Sequence, residues 1–168
     1  MKIRKETAAD IEAVFEINRS AFPTEEEAQL VNRLRETASP LISLVAEGEQ
    51  EIIGHILFTP VTLDSDTNLF LMGLAPMAVN PARQNKGVGS LLARAGIEEC
   101  RALGAAGLVV LGHPKYYSRF GFSPSANFGI KSKYYDGAPE VFMVLELSAE
   151  VFAGKAGVIS YHPSFAHL

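Results

Sequence analysis

A chain of 168 residues with 15 Lys and Arg against 19 Asp and Glu carries a formal charge of −4, and 48% of its residues are hydrophobic. These proportions fit one folded domain over residues 1–168, and they exclude a disordered tail, a disulfide mini-protein and a dedicated basic nucleic-acid binder. Cys100 is the only cysteine, the four histidines at 55, 113, 162 and 167 show no metal-ligand spacing, and the most apolar stretch, residues 69–79, is far short of the roughly 20 residues of a membrane span. A cytoplasmic protein with no metal, membrane or nucleic-acid partner is expected.

Residues 2–4 read as a short strand, followed by Thr7-Ala8-Ala9-Asp10, a helix start of capping-box type. Ile11, Val14, Phe15 and Asn18 then keep helical spacing until Phe22-Pro23, where the proline disfavours continuation. Thr24 and Glu27 repeat the capping pattern, and Leu30, Val31 and Leu34 form the stripe of a second helix. Two β-branched runs, residues 41–47 and 52–63, flank Glu47-Gly48-Glu49-Gln50, which is a hairpin signal. A turn cluster at residues 64–68 leads into a further strand over 69–79.

A helix is predicted over residues 89–103. Val88, Leu92, Ala95, Gly96 and Leu103 fall on its apolar side, and Ser90, Arg94, Glu98 and Arg101 fall opposite. Glu99 lands on the apolar side and does not fit. Residues 108–111 are wholly apolar, as expected of a buried strand parallel to its predecessor through the helix crossover. Residues 116–120 can make a helical turn or two, 141–147 a late strand, and 157–161 a short edge strand. The predicted class is α/β of the α+β kind, a mixed, mostly antiparallel central sheet flanked by helices.

Chemistry concentrates in Met77-Ala78-Val79-Asn80-Pro81-Ala82-Arg83-Gln84-Asn85-Lys86-Gly87-Val88-Gly89-Ser90. A strand ends, a turn follows, and two glycines open an amphipathic helix. The first amides of a helix lack internal partners and carry the positive end of its dipole, so the segment can cradle a pyrophosphate. A dinucleotide fingerprint needs a third glycine where Leu92 stands, and a Walker loop needs lysine after glycine, whereas Lys86 precedes Gly87.

Gln84-x-x-Gly87-x-Gly89 resembles the Q/R-x-x-G-x-G/A signature of the GNAT-type N-acetyltransferases. Pro76 inside the preceding strand cannot donate to a ladder and reads as a bulge or as an edge-strand proline; the resemblance favours the bulge, with a splay beside it. It implies acetyl-CoA as co-substrate, its pantetheine on the backbone of Met77, Ala78 and Val79 and its pyrophosphate on Gln84, Asn85, Lys86, Gly87, Val88, Gly89 and Ser90. An N–H of Met77 or a neighbour would stabilise the tetrahedral oxyanion.

Downstream, Tyr116-Tyr117-Ser118-Arg119-Phe120-Gly121-Phe122 is similar to the family's second motif, and the resemblance spans roughly residues 1–147. By it Tyr117 faces the thioester sulfur and protonates the leaving thiolate, its phenol having an ordinary pKa of about 10. Tyr116 packs. The family's Asn ahead of the tyrosine pair is missing from Leu111-Gly112-His113-Pro114-Lys115, which leaves His113 as a replacement.

An amine acceptor must lose a proton before attack, and the strand over 69–79 carries no carboxylate to take it. His113, His55 in the third strand, and water are the candidate bases. Glu25, Glu26 and Glu27 either attract a cationic amine or satisfy the dipole of their helix. Cys100 in an alanine-like slot reads as inert. The expected activity is direct acetyl transfer to a primary amine of a small molecule or a protein. The alternative is a non-catalytic acyl-CoA-binding sensor or interaction module of the same fold. Residues 161–168 are aromatic enough to pack on a neighbour or to cover their own sheet edge, so a monomer or a homodimer is expected.

Overall fold

The computed structural model describes residues 1–167, with side-chain surroundings through residue 166. Strands β1 (Lys2–Lys5), β2 (Ile42–Glu47), β3 (Ile52–Leu63), β4 (Leu71–Val79), β5 (Gly107–Leu111), β6 (Ser123–Pro124), β7 (Ile130–Ser132), β8 (Phe142–Glu146) and β9 (Gly157–Ser160) share one sheet. Its main order is β1-β2-β3-β4-β5-β8-β6, and β9 pairs with both β3 and β7. Only β4–β5 and β7–β9 are parallel. The expected mixed, mostly antiparallel sheet is therefore present, although residues 157–160 sit between two strands rather than at an edge.

Period-two alternation sends successive strand residues to opposite faces, and each face has its own helices. Helix α3 (Val88–Leu103) covers Leu44, Ala46, Ile56, Phe58, Met72 and Leu74. Helices α1 (Ile11–Ala21) and α2 (Glu26–Thr37) cover the other side, where Val45 and Leu57 meet Val14, Leu30, Val31 and Leu34. Tyr161 and Phe165 stack edge to face at 5.0 Å, and Phe165 joins this second cluster. The tail thus packs on a face of its own chain; Leu168 lies outside the described residues.

The pattern of α3 departs from its prediction at the end. Val88, Leu92 and Gly96 are buried as expected, but Leu103 is 46% exposed. Leu103 and Glu99 instead border an open hollow of about 680 Å³ beside β1 and β2, and Lys5 approaches Glu99 to 3.9 Å. Cys100 is fully buried, and burial pushes its thiol up to about 12, so it is chemically quiet.

Two polar networks tie the helices to the strands. Arg4 forks onto Asp10 at 2.7 and 3.0 Å and reaches Glu47 at 2.9 Å, while Asp10 also accepts from the Thr7 amide, so the predicted capping box forms. Deeper in, the Asn18 amide donates to Val14 O at 3.0 Å and lies 3.1 Å from His55 Nδ1, which must then accept. His55 Nε2 therefore donates to Ser43 Oγ at 2.8 Å, Ser43 donates to Glu6 at 3.1 Å, and Arg35 holds Glu6 at 2.8 Å. His55 is a buried structural group, not a base at a site.

Burial, reinforced by the Arg35 charge, holds the His55 imidazole down to about 3. An unfolded imidazole titrates near pH 6.5, so below that value the unfolded chain takes up a proton that the folded one refuses. Stability is full above pH 6.5 and falls as the pH drops toward 3, by on the order of 1 kcal/mol per pH unit. Urea melts between pH 7 and pH 5.5, above the ordinary range of carboxylate titration, should show the onset of this slope. A His55→Leu variant should be less stable at pH 7 and nearly flat across the same window.

Candidate active site

The chain folds into a fork where β4 leaves β5. Their parallel pairing runs from Leu71–Gly107 to Leu74–Val110 and stops. On its other side β4 jumps register: Met77 faces Ile56 and Leu74 faces Phe58, so Ala75 and Pro76 together oppose Leu57. Two residues against one is a β-bulge, the expected consequence of a proline that cannot donate to a ladder. Asn80 N–H donates to Ile53 O at 2.8 Å, and alternation then turns Ala78 toward β3 and the N–H groups of Met77 and Val79 toward the open edge.

Beyond β4 the turn is locked by its own side chains. Asn80 Oδ1 accepts from the Ala82 amide at 2.9 Å, and Gln84 Nε2 donates to Val79 O at 3.1 Å. Asn85 and Gly87 adopt left-handed backbone, with φ of 62° and 86°. Gly87 caps α3, and the first intrahelical bond is Leu91 N–H to Gly87 O at 3.1 Å. The amides of Val88, Gly89 and Ser90 precede that bond and have no intrahelical acceptor.

These groups line a cavity of about 530 Å³. Met77, Ala78, Val79, Gln84, Asn85, Gly87, Val88, Gly89 and Ser90 all border it, whereas Lys86 is exposed and does not. Its positive charge comes from Arg83, tied loosely to Glu51 at 3.3 Å, and from Arg119. Ala21 and Phe22, at the end of α1, close the opposite wall.

The two tyrosines lie on α4 (Pro114–Tyr117), and their placement differs in part from the sequence reading. Tyr116 borders the cradle: its hydroxyl is 3.2 Å from Ser90 Oγ, and the Arg119 guanidinium lies 4.9 Å from its ring centre. Tyr117 is 8% exposed and belongs to the cluster that contains Leu74 and Val110, the last residues that join β4 to β5. Gly112 makes this possible, because a Cβ there would stand 2.3 Å from the Tyr117 ring. Tyr117 does not line the cavity; it lies in the core cluster that also holds the last residues of the β4–β5 pairing. Burial first, and Tyr116 second, push its phenol up to about 12.

His113 is exposed and lines neither this cavity nor the smaller one on the far side of the fork. Its carbonyl accepts the Tyr116 and Tyr117 amides, so its visible role is to start α4. Glu25 and Glu26 are exposed at the start of α2, while one oxygen of Glu27 is buried without a partner. Sequence reasoning missed Arg119 and the cradle-facing Tyr116, although their three-residue spacing on a helical turn is a usable signal. Among the described residues no group of three His, Cys, Asp or Glu could hold a metal ion, and no helix is long and apolar enough to cross a membrane.

A mostly antiparallel sheet forked at one parallel pair, beside a glycine-started helix, defines an acyl-transfer scaffold. The chain belongs to the GNAT acetyltransferases: the profile of an acetyltransferase (GNAT) domain matches residues 2–125. It is 32% identical over 166 residues to the N-acetyltransferase YhbS of Escherichia coli K12, covering 98% of both chains. It is also 45% identical over 125 residues to the N-acetyltransferase YjhQ of the same strain, covering 73% of this chain and 67% of that one. The E. coli YhbS structure in complex with CoA superposes with a TM-score of 0.90 at 30% identity, covering 98% of this chain and 91% of that one. A GNAT acetyltransferase of Brucella melitensis in complex with acetyl-CoA gives a TM-score of 0.79 at 32% identity, covering 98% and 97%. These relatives decide for an enzyme over a binding module.

Gly87→Ala tests the cap without touching any side chain. A Cβ at φ of 86° costs on the order of 1 kcal/mol, and the space around Gly87 is open, so backbone strain is the whole effect. A thermal melt should fall by about 2–4 °C.

Proposed function

We propose that this acetyltransferase takes its acetyl group from acetyl-CoA and passes it directly to a primary amine. The observation that carries the reading is the cavity in which the free β4 edge and the unpartnered amides of α3 converge. A pantetheine arm bears amides that can pair with the Met77 and Val79 backbone as an added strand would. A pyrophosphate suits the amides of Val88, Gly89 and Ser90 together with Arg83 and Arg119.

In the transfer the amine nitrogen bonds to the thioester carbonyl carbon and the carbon–sulfur bond breaks. The Met77 N–H, turned to the open edge, stabilises the oxyanion; a preorganised donor of this kind contributes on the order of 3–4 kcal/mol. Tyr117 protonates the departing thiolate. Among the described residues neither cavity is lined by a carboxylate or an imidazole, and in this reading the ammonium form of the acceptor loses its proton to water before attack.

A thermal-shift titration with acetyl-CoA, CoA and NADH tests the cradle. Each CoA species at 100 times its Kd should add about 2.7 kcal/mol of stability, and NADH should add none; a response to NADH alone would overturn the reading. Tyr117→Phe should lower turnover at least ~10-fold while leaving the Kd for CoA within about twofold. Because the Tyr117 phenol is pushed up to about 12, turnover of the parent enzyme should show no falling limb up to pH 10. Apparent kcat/KM for the amine should rise roughly tenfold per pH unit toward the pKa of the amine itself. A plateau near pH 6.5, whatever the amine, would instead restore His113 as the base.

A further inference from the structure

A second cavity, of about 330 Å³, opens on the other side of the fork, where Leu74 and Ala75 of β4 and Leu111 at the end of β5 form its floor. β4 passes from this cavity to the cradle across Pro76, so whatever fills it lies next to the strand segment that holds the thioester in the reading above. Its walls are aromatic. Tyr134, Tyr135, Tyr161 and Phe165 border it, and among the described residues no acidic or basic side chain does. Leu111 and Tyr134 are 44% and 41% exposed, a large apolar surface left uncovered at its mouth.

Tyr161 carries the one polar feature that the packing does not use. Its ring occupies the space that the missing Cβ of Gly73 leaves, on the face of β4 away from α3. Its hydroxyl is sealed from solvent and has no hydrogen-bond partner, alone among the residues that line this cavity. A buried hydroxyl left unpaired costs on the order of 1–3 kcal/mol, so the ring is held here by its packing and not by its polar end. Tyr161 packs with the cluster under α1 and α2 and Tyr117 with the cluster under α3, so the two lie on opposite faces of the sheet.

We propose that this cavity is the acceptor pocket and that it takes a small monoamine carried on an aromatic ring, with the Tyr161 ring as one of its walls. The inference rests on the acetyl-CoA-dependent reading above and specifies its substrate class. The volume lies at the low end of ligand cavities, roughly 300–1,000 Å³, which suits one ring on a short arm. Four aromatic walls offer edge and face contacts to that ring, and they attract a single ammonium through their π faces. A polyamine would bring further charges into a pocket where none of the described residues offers a carboxylate to pair them. Once neutral, the amine has its lone pair free for the carbonyl carbon.

CoA release from acetyl-CoA should be measured with 2-phenylethylamine, spermidine and a lysine-containing peptide, alongside CoA binding by thermal shift. The expected result is a kcat/KM for phenylethylamine at least tenfold above both others. Tyr161→Leu, which removes one of the four rings, should raise KM for phenylethylamine severalfold with its Kd for CoA unchanged. Tyr134→Ala, at an exposed position, should raise KM for phenylethylamine severalfold and leave CoA binding intact. CoA binding with spermidine or the peptide preferred, with no amine accepted, or with Tyr161→Leu kinetically silent, would overturn this inference and leave the donor reading standing. Failure to bind CoA would overturn both.

Discussion

The parting of β4 from β5 after Leu74 and Val110 is the constraint on which the site depends. Inside a sheet, every N–H and C=O seeks a partner, so a strand that stops pairing in mid-course leaves polar groups facing a gap. Here the gap follows from local chemistry. Pro76 brings no N–H, Ala75 and Pro76 share one opposing residue, and the strand turns away before resuming its register with β3 at Met77. The result is an open backbone edge held rigidly on one side by β3. An edge of that kind recognises an amide-bearing chain without needing any particular side chain.

The cradle is tied to the same event by topology. Parallel strands need a crossover, and α3 is the crossover between β4 and β5, the parallel pair in the main run of the sheet. A helix that must start just past the end of β4 points its free amides at the gap β4 has opened. Gly87, with its left-handed backbone, makes the turn between the two tight enough for both to border one cavity. Strand edge and helix start are thus one construction, and Gln84 braces it by donating to Val79 O.

That construction was largely legible in the sequence, because each of its parts has a local signature: proline within a strand, glycines before an amphipathic helix, a short apolar run after it. What was not legible depends on contacts far apart in the chain. Tyr116 and Tyr117 are adjacent, and a step of about 100° sends them in different directions; which one enters the core is decided by Gly112, whose bare backbone receives the Tyr117 ring. His113 follows a buried strand yet is exposed, because the cover over β5 ends with Val110 and Leu111 is already open. The placement of Tyr161 follows from β9 pairing with β3, nearly a hundred residues earlier, and nothing local to either strand announces it.

The distribution of titratable groups explains what kind of catalyst this scaffold can be. The buried histidine is spent on structure, held neutral between Asn18 and Ser43, and the buried cysteine is held as a thiol. The second histidine of the core strands' neighbourhood, His113, faces solvent. At the fork there remain backbone amides and phenols whose burial keeps them protonated. Such groups donate hydrogen bonds at fixed positions and barely change with pH in the neutral range. Their contribution is orientation and stabilisation of developing negative charge, which act fully only in a site whose donors are already in place. In the proposed transfer the rigidity of the β3–β4 ladder and of the Gly87 cap matters as much as the donors themselves, because both hold those donors in place.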